Sequence, residues 1–188
     1  MIMVSEPIGG WSDDPLIEIN PAEWWDDDDY ALNHYVGKPP DNDLVASVET
    51  ELGVRLPRSY VAMMYRHNGG LPKLTCFPTS TPTTWAEDHV AITGIFGLDR
   101  DREHSLCGTA GNPFWAREWG YPDLGVYFAD CPSAGHDMVA MDYRLCGPSG
   151  EPRIVHVDQE WEYSITVLAS SFTEFVKGLR SAEDFDTD

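Results

Sequence analysis

Residues 44–70 read LVASVETELGVRLPRSYVAMMYRHNGG and predict two helices together with the residues that end them. The first helix has one apolar face with the periodicity of an α-helix. That face comprises Leu44, Val45, Val48 and Leu52. An N-cap at Asn42 or Asp43 and a glycine stop at Gly53 predict where this amphipathic helix begins and ends.

The second helix begins at Pro57, because proline suits a first helical position, where its missing N–H needs no partner. At the other end, Asn68, Gly69 and Gly70 favour a left-handed stop. One stripe lies between these limits and comprises Tyr60, Val61, Met64 and His67. We interpret His67 as a core histidine of this stripe rather than as a catalytic base.

The composition limits the classes of partner. The chain has 188 residues, of which 42% are hydrophobic, enough for one compact domain with a core. Its 32 acidic and 12 basic residues give a formal net charge of -20. Because phosphates must be neutralised by Lys and Arg, this charge disfavours direct binding of nucleic acid or of anionic membranes. A basic protein is the complementary partner, and the alternative is that the charge only confers solubility.

The chain shows no secretion signal and no membrane-spanning stretch, so we expect a cytoplasmic protein. Its four cysteines are widely spaced and form no C-x-x-C pair, which predicts free thiols rather than disulfides. They are Cys76, Cys107, Cys131 and Cys146. The oligomeric state stays open, with a monomer favoured.

The first forty residues predict an irregular, acidic arm, because they mix Gly and Pro with Trp and Tyr. Trp11 belongs to this arm, as do the tryptophans considered below. Aromatic side chains are costly to leave in water, so we expect the arm to pack across the main body. We therefore divide the chain into an arm at 1–40, a domain at 41–180 and an acidic, frayed tail at 181–188.

The remaining chain predicts a series of strands followed by a closing helix. The expected strands are 73–77, 90–96, 126–129, 138–143, 153–157 and 164–168. A short helix after Asn112-Pro113 interrupts them, and a capping box of Ser171 and Glu174 begins the last helix. This order is typical of an α+β domain, in which helices cover one face of a largely antiparallel sheet, with mixed pairing left open.

Two groups of candidate metal ligands lack the required pattern. His104 and Cys107 have no second pair at a matching spacing, and four consecutive aspartates do not alternate as calcium ligands do. No nucleophile elbow, Cys-His signature or phosphate loop is present. The sequence therefore predicts no metal, no cofactor and no catalytic residue.

Two segments suit protein binding, because each places aromatic anchors beside carboxylates. The first comprises Trp24, Trp25, Asp26, Asp27, Asp28 and Asp29, and the second comprises Asp158, Glu160, Trp161 and Glu162. The alternative is that the tryptophans anchor the arm to its own domain while the acidic groups stay solvated.

The spacing of several of these residues resembles the central motif of the SUKH superfamily. The matching positions are Glu49, Leu52-Gly53, Leu56-Pro57, Tyr60 and Asn68-Gly69-Gly70. A second match at 168–176 is similar to the closing helix of the same superfamily, with the pattern A-x-S-F-x-x-F. The resemblance covers about residues 42–180 and implies an α+β fold without catalytic activity.

The resemblance also implies two roles. Bacterial members commonly serve as immunity proteins that neutralise a cognate toxin, often a basic nuclease, whereas fungal members are regulatory modules that dock on cellular proteins. We expect the first role, with the two acidic segments as the contact surface and the second role as the alternative. A hydrolase would require a deep pocket that holds a carboxylate or histidine with a shifted pKa.

Overall fold

The computed structural model describes residues 14–185, whose centre is a five-stranded antiparallel sheet. Its strands follow the chain order β5, β6, β7, β8 and β9, so that each strand pairs with the next one along the chain. They are β5 Gly94–Ile95, β6 Gly125–Asp130, β7 Asp137–Asp142, β8 Arg153–Asp158 and β9 Ser164–Ala169. Two smaller antiparallel pairs are β1 Trp25–Asp26 with β2 Leu71–Pro72, and β3 Cys76–Pro78 with β4 His89–Ala91.

The helices confirm the expected α+β class. They are α1 Pro21–Trp24, α2 Asp29–His34, α3 Asn42–Leu52, α4 Arg58–Arg66, α5 Asn112–Glu118 and α6 Phe172–Gly178. Helices α4 and α6 pack together against the sheet, where Phe172 lies 5.3 Å from the Tyr60 ring and 5.6 Å from the Phe128 ring. All three rings are fully buried, so they form the layer that joins the helices to β6.

Helix α3 begins one residue earlier than the sequence suggested. Asp41, rather than Asn42 or Asp43, is the N-cap, and its carboxylate accepts a hydrogen bond of 2.8 Å from the Leu44 N–H. The end was predicted correctly, because Gly53 has a left-handed φ of 71°.

Helix α4 begins after Pro57, which is the N-cap rather than the first helical residue. The helix ends at Arg66, and the left-handed backbone follows at Gly69, with a φ of 79°. A Cβ atom on Gly69 would lie 2.7 Å from the Gly97 N atom, so this position excludes any side chain. The predicted stop is therefore also a point of close contact with the segment after β5.

Two of the expected strands differ from those in the structure. Residues 73–77 contain only the start of β3, which is paired with β4, and residues 90–96 contain the end of β4 and then β5. Because β4 and β5 belong to different sheets, a continuous strand over 90–96 was wrong.

The arm is more regular than expected, because it contains α1, β1 and α2. Strand β1 pairs with β2, and the Arg66 guanidinium donates hydrogen bonds to the carbonyls of Leu16 and Ile19. The arm therefore packs on the main body, while Trp11 and the rest of 1–13 lie outside the described residues. In the tail, a 3-10 helix spans Ala182–Asp184, and residues 186–188 are likewise outside. The domain limits at residues 40 and 180 stay predictions.

Candidate partner-binding site

The tryptophans of the first acidic segment are core residues. Trp24 and Trp25 are only 9% and 2% exposed, and Trp25 stacks on His67 with 4.8 Å between ring centres. The His67 Nε2 atom lies 2.9 Å from the Asp27 carboxylate, which joins this part of the arm to the end of α4. Because both side chains are buried and inaccessible to a partner, the prediction that Trp24 and Trp25 belong to a contact surface is wrong.

The four carboxylates beside them are exposed but have different roles. Asp27 contacts His67, and Asp28 caps α2 by accepting a hydrogen bond of 2.7 Å from the Ala31 N–H. Within residues 14–185, the carboxylates of Asp26 and Asp29 have neither a hydrogen bond nor an ion pair. These two carboxylates are therefore available to contact an external partner.

The second segment forms a turn after β8. Asp158 is buried, and its carboxylate accepts hydrogen bonds of 2.9 Å and 2.8 Å from the backbone N–H and the hydroxyl of Thr84. This burial removes Asp158 from the predicted contact surface and gives it a structural role. Glu160, Trp161 and Glu162 stay exposed, and Trp161 has 49% of its surface in solvent.

An open groove of about 600 Å³ lies beside the first acidic segment. Asp26 lies at the groove, and Trp85, which is 41% exposed, is the most exposed large hydrophobic residue of its lining. The other lining residues are Leu71, Pro72, Thr75, Cys76, His89, Ala91, Ile92, Thr93, Pro132, Ala182 and Phe185. A mainly apolar surface beside a free carboxylate suits a protein partner with both apolar and basic groups.

The loop between β3 and β4 links this groove to the second segment. Thr84 in this loop binds Asp158, and the next residue, Trp85, lines the groove. The 158–162 segment is thus connected to the groove through this loop, although over 120 residues of chain separate it from Asp26. Sequence reasoning missed Trp85, and the available signal was a lone tryptophan in a loop rich in Thr and Pro.

Asp130 and His104, two groups with shifted pKa values, lie outside the groove lining. Burial raises the pKa of Asp130 to about 6, against the opposing effect of hydrogen bonds from the Tyr35 hydroxyl and the Gly94 N–H. Burial also lowers the pKa of His104, whose ring stacks on Tyr35. Neither of them therefore supplies the carboxylate or histidine that a hydrolase site in this groove would require.

A different group of potential metal ligands appears in the core. Within residues 14–185, one set of three such residues lies together: Cys131, Asp137 and His156. His156 follows Asp137 by 19 residues, and the spacing of the three residues matches no metal-binding motif, so sequence reasoning missed them. His104 and Cys107, the pair considered from the sequence, do not belong to this set.

Comparison with known families decides the classification. Residues 42–176 match the SUKH_6 family model, which is described as SMI1-KNR4 cell-wall. The match covers more than half of the chain and includes both motifs noted in the sequence. The chain belongs to the SUKH family. No curated protein and no solved structure shows significant similarity to it.

The family match explains which parts of the SUKH chain form the scaffold. It includes α3, α4, the sheet and most of α6, and it begins after the arm that contains Asp26–Asp29. The family includes immunity proteins and cell-wall regulators and is generally non-enzymatic. Within residues 14–185, none of the helices is long and apolar enough to cross a membrane.

Proposed function

We propose that this SUKH protein is an immunity protein that binds and neutralises a basic toxin domain. The main supporting observation is the groove beside Asp26, where a free carboxylate and the exposed Trp85 lie together on an acidic molecule. Such a surface is complementary to a partner that presents Lys and Arg around an apolar contact.

A nuclease toxin is the partner class that this charge favours. Nucleases hold phosphates with basic side chains, and a carboxylate-rich surface competes for the same side chains. The net charge of -20 also accelerates the encounter with a basic partner by long-range attraction, which salt weakens. Occlusion of the substrate groove then neutralises the toxin without any catalytic step.

The contact surface that we propose is narrower than the one expected from the sequence. It retains Asp26, Asp29 and the exposed turn residues Glu160, Trp161 and Glu162, and it adds Trp85. Asp27 and Asp28 contribute charge while they hold the arm in place.

The direct test uses the toxin domain encoded beside this gene. The purified SUKH protein should inhibit the nuclease at a ratio of about one to one, and Trp85→Ala should weaken binding by about 30-fold, as expected for the loss of an aromatic anchor. Leu145→Ala is the matched control, because Leu145 is 76% exposed and lies outside the groove. Absence of inhibition by the unaltered protein would refute the proposed function.

The alternative is a regulatory module that docks on cellular proteins, which the cell-wall description of the family favours. An immunity protein should bind one basic toxin with strong salt dependence. A regulatory module should bind several unrelated proteins through the same groove. Affinity capture at low and high salt, with Trp85→Ala as the negative control, distinguishes the two.

A further inference from the structure

Three side chains of different metal-binding types meet in the core of the sheet. The ligand atoms of Cys131, Asp137 and His156 all lie within 4.8 Å of one another. All three residues are buried, with exposures of 4%, 2% and 0%. This buried cluster therefore combines a sulfur, an oxygen and a nitrogen atom that could ligate one metal ion.

The fold explains this meeting. Asp137 begins β7 and His156 lies in β8, where the register pairs Val139 with His156 and Asp137 with Asp158. Asp137 and His156 are therefore diagonal neighbours on one face of the sheet. Cys131 directly follows β6, the strand on the other side of β7, so three adjacent strands supply the three groups.

The hydrogen bonds within the protein do not satisfy all polar atoms of the cluster. The His156 Nε2 atom lies 2.7 Å from the Asp137 carboxylate. The His156 Nδ1 atom is buried, and it has no hydrogen-bond partner among residues 14–185. The Asp137 Oδ1 atom is also buried without a hydrogen-bond partner among these residues, and because buried polar atoms are almost always paired, two such atoms in a cluster with a buried thiol indicate a missing ligand.

We propose that Cys131, Asp137 and His156 form a binding site for a zinc-class divalent cation. Thiolate sulfur, imidazole nitrogen and carboxylate oxygen are the ligand types that zinc accepts. The two anionic ligands compensate the charge of the ion in a site where an uncompensated charge would be costly. Three protein ligands leave one position for a water molecule.

This site differs from the partner-binding groove in position and in role. Pro132 lines the groove, but Cys131, Asp137 and His156 do not. A bound ion would join β6, β7 and β8 at one end of the sheet and so stabilise the scaffold. The metal proposal is independent of the proposed toxin, and either can fail alone.

The test begins with the unaltered protein. After exposure to zinc and removal of loosely bound ions, it should retain about one zinc ion per chain, and its melting temperature should exceed that of the chelator-treated protein. Cobalt substitution should produce a sulfur-to-metal charge-transfer band. A retained content below about one tenth of an ion per chain, with no melting shift, would overturn the proposal.

Two variants identify the ligands. Cys131→Ser should lose the charge-transfer band and most of the bound zinc, whereas Cys146→Ser, which alters an exposed thiol, should retain both. A band that survives in Cys131→Ser, or zinc that binds equally in both variants, would show an adventitious ion only. If Cys131→Ser does not fold, His156→Asn replaces it, with retained zinc as the readout and the same overturning result.

Discussion

Asn68 joins three segments that are distant in the chain. Its side-chain amide donates to the carbonyls of Lys38 and Leu98, at 2.6 Å and 2.9 Å, and its side-chain oxygen accepts from the Leu98 N–H at 2.6 Å. Its own carbonyl accepts a hydrogen bond from the Gly37 N–H. This buried asparagine therefore holds the arm and the segment after β5 against the end of α4.

Asn68→Ala should destabilise the protein by about 2–4 kcal/mol, because it leaves the Lys38 and Leu98 backbone groups without their partner. Asn33→Ala is the control, since Asn33 is exposed and its side chain makes one local hydrogen bond, to the Asp29 carbonyl. Urea unfolding of both variants measures the difference. Equal, small effects would show that the Asn68 network does not stabilise the fold.

Asp130 predicts a specific dependence of stability on pH. Its pKa is raised to about 6 in the folded state, mainly by burial, so the folded chain binds more protons than the unfolded chain between about pH 4 and pH 6. The free energy of unfolding should therefore fall by about 1–2 kcal/mol as the pH rises through this range. Solvent screening at the partly exposed Asp130 keeps the effect this small.

Unfolding of Asp130→Asn at several pH values tests this dependence. The difference between the unaltered protein and the variant isolates Asp130 from the repulsion among the other acidic groups. Asp123→Asn, at an exposed site, should keep the slope of the unaltered protein. If Asp130→Asn keeps that slope as well, the assignment to Asp130 is wrong.

At the scale of elements, the two kinds of tryptophan have opposite roles. Trp25 fixes β1 to the end of α4 through its stack on His67, whereas Trp161 lies in an exposed turn. Trp25→Ala should cost about 3–5 kcal/mol of stability, and Trp161→Ala should cost less than about 1 kcal/mol. Thermal unfolding distinguishes them, and similar losses would contradict the structural role of Trp25.

Local patterns sufficed to predict the elements whose ends have their own signals. Gly53 ended α3 as expected, and Ser171 caps α6 by accepting a hydrogen bond from the Glu174 N–H. A capping box also requires the Glu174 carboxylate to accept a hydrogen bond from the Ser171 N–H, and this half of the prediction was wrong. The carboxylate instead accepts hydrogen bonds from the N–H and the hydroxyl of Ser170. Local sequence does not distinguish two acceptable partners one residue apart.

Contacts between distant segments could not be predicted in the same way. Asp158 looked like a surface acid, but Thr84 satisfies its carboxylate in the interior. Cys131, Asp137 and His156 meet only because three strands pair in one register. The groove likewise depends on the loop that places Trp85, which has no periodic signal.

At the scale of the whole molecule, the proposed contact surface combines carboxylates of the arm with Trp85 and the 160–162 turn of the SUKH domain. The SUKH match supplies α3, α4, α6 and the sheet, while the arm outside it supplies the free carboxylates of Asp26 and Asp29. This division allows the acidic surface to change without disturbing the core. The proposed recognition therefore depends on charge and on the exposed tryptophans Trp85 and Trp161.

The most direct measurement is the dissociation constant of the complex with the neighbouring toxin, compared between two charge-matched double variants. Asp26→Asn with Asp29→Asn should weaken binding about tenfold at low salt, because one free carboxylate at the groove and a second one in the same segment are lost. Asp43→Asn with Asp101→Asn removes the same charge outside both segments and should change affinity less than about twofold. Equal affinities for the two double variants would show that Asp26 and Asp29 do not contribute specifically to toxin binding.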